Sequence, residues 1–112
     1  MSKREIQLLL EDILESIIKI EQYTKNLSFS EFKDNGLVFD ATVRNFEIIG
    51  EAAANIPEEI KTTLSEIPWK QIRGLRNRII HEYFGVDISI IWYIIENELP
   101  SLKFELEKAI KK

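Results

Sequence analysis

Ile6, Leu9, Leu10, Ile13, Ile17 and Ile20 recur at steps of three and four residues along the first stretch of the chain. That spacing predicts one long amphipathic helix, running to about Lys25 and burying a single stripe. Ser2 with Glu5 has the form of a capping box that starts it. A second such pair, Ser28 with Glu31, opens a short helix carrying Phe29 and Phe32, and Asn35-Gly36 is a usual C-terminal signal for it. From about Leu37 to Asn55, the residues Val38, Val43, Phe46, Ile49, Ala53 and Ile56 trace another apolar face. Within it Gly50 and the alanines at 52, 53 and 54 leave room for a second helix to approach closely. Pro57 and Pro68 each suit the first turn of a following helix. Asp87 can cap the final segment, from Ile88 to the end of the chain. Inside that segment Pro100 lacks a backbone donor and clashes with the preceding turn, so the helix should kink or restart near Glu98. Strand signals are nearly absent, and the pattern predicts an all-α, up-and-down bundle of four main helices plus one or two short ones.

Composition fits one domain spanning residues 1–112: the chain is 45% hydrophobic and 30% charged, with no long biased stretch. With no cysteine and a single histidine, thiolate chemistry and a Cys-based zinc site are excluded, and neither a metal nor another cofactor is expected. Charges run through the N-terminal helix, which therefore reads neither as a signal peptide nor as a spanning segment; a cytoplasmic protein with no membrane partner is expected. A formal net charge of −4 argues against a surface that is basic throughout. Locally the balance reverses. Lys70, Arg73, Arg76 and Arg78 fall within nine residues that contain no acid, and Lys70, Arg73 and Arg78 are candidate nucleic-acid contacts. A solvated helix face paired with neighbouring acids would look the same.

The same region, "GLRNRIIHEYFGVD", holds the lone histidine, His81. At about 100° per residue, Ile72, Leu75 and Ile79 point to one side of a helix, and Arg73, Asn77 and His81 form a stripe on another. Arg76 and Tyr83 lie nearly superimposed at the border between them. Arg76 and His81 differ by about 140°, so one regular helix does not aim both at one phosphate. Convergence needs either a distorted helix end around Ile80 to Tyr83 or a second copy across a two-fold axis. Given convergence, the set suits RNA cleavage by the 2′-hydroxyl. Histidine moves a proton near neutral pH, arginine offsets charge on the phosphorane, and Asn77 holds the phosphate or the histidine tautomer. A surface histidine favoured by a helix C-terminus fits the spacing as well. Dinucleotide-binding, phosphate-loop and hydrolase-elbow motifs are absent.

The run from Arg76 to Tyr83 also has the RNxxxHxY form of the Rx4-6H motif, and the chain resembles the HEPN superfamily, in particular the HepT-like toxins of type VII toxin-antitoxin systems. The likeness extends over "RNFEIIGEAA" (44–53), "IPWKQIRGLRNRIIHEYFGVD" (67–87) and "IWYIIENELPSL" (91–102), in the same order and spacing. The resemblance implies a HEPN-like bundle and an endoribonuclease with Arg76 and His81 as catalytic residues and Asn77 as their polar neighbour. It further implies a homodimer whose motifs face each other across a cleft. Tyr83 matches the tyrosine to which a partner antitoxin, a minimal nucleotidyltransferase of the MntA type, adds AMP. A bulky anionic group there would exclude an RNA phosphate. Glu51, in "IGEAA", is a candidate buried partner for an arginine such as Arg44 or Arg76. A reading of another class stays open: a non-catalytic bundle subunit that docks a nucleotidyltransferase or binds nucleotide, with Tyr83 as its contact or modification site.

Overall fold

Helix α1, Lys3–Thr24, begins where the side chain of Ser2 accepts the Glu5 N–H at 3.1 Å, and it buries Leu10, Ile13, Ile17 and Ile20. Its end is marked by Asn26, whose φ of 66° places it in the left-handed region that asparagine tolerates better than most residues. The computed structural model describes residues 1–81 and 87–111, the side chains of Ile80 and His81 excepted. Among the described residues there are seven helices and no strand.

Helix α2, Phe29–Asp34, opens on a complete capping box: Ser28 Oγ accepts the Glu31 N–H at 3.1 Å while Glu31 Oε1 accepts the Ser28 N–H at 2.9 Å. These bonds hold the Glu31 carboxyl below its ordinary pKa, the bond from the Ser28 backbone contributing most. Helix α2 stops at Asn35-Gly36 as expected, but not by a left-handed glycine. Asn35 ends α2 and also caps α3, its Oδ1 accepting the Val38 N–H at 3.1 Å. Gly36 has no positive φ and is the first residue of α3, Gly36–Ala54. The side-chain cap on the next helix replaces the left-handed stop, so α2 and α3 meet with one residue between them.

Helix α4, Glu58–Thr63, follows Pro57, and α5, Trp69–His81, follows Pro68. Asp87 caps α6, Ile88–Asn97, and α7, Leu99–Lys111, restarts after Glu98. The break that Pro100 demands therefore falls at Glu98, and the fourth long segment is two helices. Helix α3 is central, packed on α1 on one side and α5 on the other, while α7 lies along α1. Lys103 Nζ donates to Glu21 at 3.0 Å and Gln7 Nε2 donates to the Ile110 carbonyl at 3.2 Å, which ties α7 to α1 in antiparallel sense.

One contiguous core runs through this frame and includes Ile13, Ile17, Phe46, Ile79, Leu99 and Leu106. Phe32 is fully buried, edge-on to Phe39 at 5.9 Å and 5.1 Å from the Trp92 ring, so the short α2 pins α3 to α6. No described helix is long and apolar enough to cross a membrane. Phe32→Ala should lower unfolding free energy by about 3–5 kcal/mol in urea titrations. Asn35→Ala should cost about 1 kcal/mol and Asn35→Gly only a few tenths, because glycine also serves at an N-cap.

Candidate functional site

Helix α5 owes its placement to two facts of sequence. Ile72 and Ile79 bury on one side, 7% and 1% exposed, and Trp69 at its start donates Nε1–H to the Leu64 carbonyl at 3.0 Å. With that face fixed, Arg73 and Asn77 point to solvent and Arg76 lies half-buried at the border, as the helical wheel requires.

Arg76 meets α3 at Gly50. A β-carbon built on Gly50 would press into Arg76 Cβ and Cγ, nearer than carbon atoms that are not bonded to each other pack. Gly50 is thus the gap into which the arginine stem fits. The guanidinium then turns to the next residue of α3, where Nη2 and Nε donate to one oxygen of Glu51 at 3.0 and 3.3 Å. Glu51 is the expected partner, but it is not buried: its side chain is 55% exposed against 29% for Arg76. The outward side of α3 at this point explains that, since the core-facing positions beside it are Ala52 and Ala53. Arg44 lies elsewhere, 4.0 Å from Glu47.

Residues 13–109 match the family described as Ribonuclease HepT-like. The chain belongs to that family. It is 43% identical over 111 residues to "Putative RNase MJ1216" of Methanocaldococcus jannaschii, covering 99% of this chain and 92% of that protein. It is 40% identical over 107 residues to "Putative RNase MJ1380" of the same organism, with 96% and 98% covered. To "Probable ribonuclease HepT" of Thermococcus cleftensis it is 42% identical over 102 residues, with 91% and 93% covered. No solved structure matches it significantly.

In this HepT-like chain the predicted cations divide. Lys70, Arg73 and Arg76 line adjoining depressions beside α4, whereas Arg78 faces the other way, toward Asp87 and Ile90 of α6. Asn77 is exposed between the two sets. The side chain of His81 and all of Tyr83 lie outside the described residues, although the α5 backbone is helical as far as His81. Two side chains at the depressions escaped sequence reasoning, Lys61 and Trp69. Their signal was weak, because the short α4 has no apolar periodicity that would orient Lys61.

Asp87, which resumes the described chain after the motif, accepts the Ser89 Oγ–H at 2.6 Å and its backbone N–H at 2.9 Å. The Ser89 hydroxyl, then the Ser89 backbone, hold its carboxyl below the ordinary range, with a small contribution from Arg78. A depressed folded value means that the cap's contribution is present above the unfolded aspartate pKa and is lost as pH falls through the lowered folded one. Ser89→Ala should therefore raise the Asp87 pKa toward its ordinary value in a carboxyl NMR titration. Gly50→Ala should destabilise the fold by about 1–3 kcal/mol, since the clash is with the arginine stem rather than its mobile tip. Arg76→Ala removes the clashing Cγ but retains the nearer Cβ, so combining the two should relieve that loss only in part; urea midpoints of the four proteins in the cycle decide it.

Proposed function

We propose that the chain is the toxin of a toxin-antitoxin pair, an endoribonuclease that cuts RNA without a metal ion and works as a homodimer. The observation that carries this reading is the seating of Arg76, the motif arginine, in the gap at Gly50 with Nε and Nη2 on Glu51. A guanidinium held by two bonds along one edge keeps its remaining edge aimed, which is what stabilising charge on a phosphorane asks of it. Names given to the relatives, RNase and ribonuclease HepT, support the same activity.

The α5 backbone stays helical to His81, so the roughly 140° between Arg76 and His81 persists. That favours a second copy over a distorted helix as the source of convergence. Ile90, 37% exposed beside the Arg78 side of α5, and Tyr93, 59% exposed three residues further along α6, offer a step on which such a copy would close. In the composite cleft the 2′-hydroxyl gives its proton to one His81 and attacks phosphorus. Arg76 and Asn77 hold the phosphate. The bond to the 5′-oxygen breaks, that oxygen takes a proton from the other motif's histidine, and a 2′,3′-cyclic phosphate and a 5′-hydroxyl remain. Regulation follows from Tyr83, two residues beyond the histidine. A partner nucleotidyltransferase of the MntA type transfers AMP from ATP to its hydroxyl, the phenol oxygen losing its proton as it displaces pyrophosphate from the α-phosphorus, and the added charge and bulk close the cleft to RNA.

Expression of the chain alone should arrest growth and fragment RNA, and His81→Ala or Arg76→Ala should abolish both by at least about a hundredfold, a typical loss for a general acid–base or charge-stabilising group. Unmodified wild type that leaves RNA intact would sink the nuclease reading in favour of a docking subunit. Intact-mass spectra of protein co-expressed with the nucleotidyltransferase should show AMP-sized increments that vanish in Tyr83→Phe.

A further inference from the structure

Two adjoining depressions on the surface share Glu58, Lys61, Trp69 and Arg73. Together they form one trough between α4 and the first half of α5, ending at α3. Its inner end is floored by Gly50, Ala53 and Ala54, where small residues leave space, and it terminates at Arg76. Its outer end reaches Lys70 and Ser65. Four cations and one carboxylate line it, in a chain whose net charge is −4. The carboxylate, Glu58, sits 3.8 Å from Lys61 Nζ. The Lys61 side chain is only 17% exposed, with its ammonium 5.8 Å from the Trp69 ring centre.

We propose that this trough is a binding track for single-stranded RNA, with Lys61 on the α4 bank and Lys70, Arg73 and Arg76 on the α5 bank. The proposal rests on the nuclease reading and says where the strand flanking the cut phosphate lies. Two features favour RNA over an acidic protein segment. Trp69 is an aromatic wall in both depressions, the kind of surface on which unpaired bases rest. The track runs without interruption into Arg76, the residue proposed to meet the scissile phosphate. Arg78, turned toward α6, takes no part in it.

The test measures binding of a fluorescent single-stranded RNA of about ten nucleotides to His81→Ala protein by anisotropy across a salt series. Lys61→Gln and Arg73→Gln should each weaken binding several-fold and reduce the slope of log affinity against log salt by about 0.7, one phosphate contact on a single strand. Lys61→Arg should restore both, Lys19→Gln on α1 should change neither, and circular dichroism should show every variant folded. RNA should quench tryptophan fluorescence in the parent and much less in Trp69→Phe. Unchanged affinity and slope in both charge variants, beside a wild type that cuts RNA, overturns the track and leaves the nuclease standing. So does a loss in Lys61→Gln that Lys61→Arg fails to restore, or variants that bind RNA normally but lose the nucleotidyltransferase. RNA bound through Lys61 and Arg73 by a wild type that cuts nothing supports the track and removes the nuclease reading alone.

Discussion

Where Arg76 crosses α3, the central helix has only a hydrogen to offer. Gly50 lets the arginine stem lie against the α3 backbone, and that contact sets how closely α3 and α5 approach. The core on either side depends on the same distance: Ile49 and Ala53 from α3 and Ile72 and Ile79 from α5 are all buried. Glycine inside a helix lowers its stability by roughly 1 kcal/mol relative to alanine. Here that cost goes with the motif arginine held close to a rigid helix, its guanidinium directed by Glu51. Packing and candidate chemistry thus share one contact.

The helices were largely legible because each carries its own periodicity and start signal. Ser2, Ser28, Pro57, Pro68, Asp87 and Pro100 mark boundaries close to where they occur. At Asn35 the stop was legible but not its device, because an asparagine before a glycine satisfies two local rules at once, and only the amide's bond to the Val38 N–H decides between them. At the candidate site, the motif singled out the candidate residues of α5, and the helical wheel gave the way most of them face. The partition of the basic run, with Arg78 on one side and Lys70, Arg73 and Arg76 on the other, needed the neighbouring helices. Lys61 and Trp69 were hidden for a similar reason, since their proximity depends on the turn between α4 and α5. Glu51 was recognised as an arginine partner but not as an exposed one, because a wheel ranks faces without showing which are covered.

An acidic protein with a basic trough separates two electrostatic tasks. The overall negative charge discourages indiscriminate adsorption to nucleic acid, while the local field of Lys61, Lys70, Arg73 and Arg76 acts over roughly a Debye length, about 8 Å at physiological ionic strength. Those cations hang mainly from one helix whose opposite side is core. Their mutual spacing is therefore set by backbone geometry and changes little with side-chain surroundings.

The single residue between α2 and α3 has a different consequence. Most connections in a helical domain absorb an inserted or deleted residue in a loop, but Asn35 belongs to the ends of both helices. One residue more or less there advances the helical phase by about 100° and swings Phe32 away from Phe39 and Trp92. Length at this joint is therefore constrained as tightly as residue identity is in the core, and variation in chain length is more readily borne elsewhere in the fold.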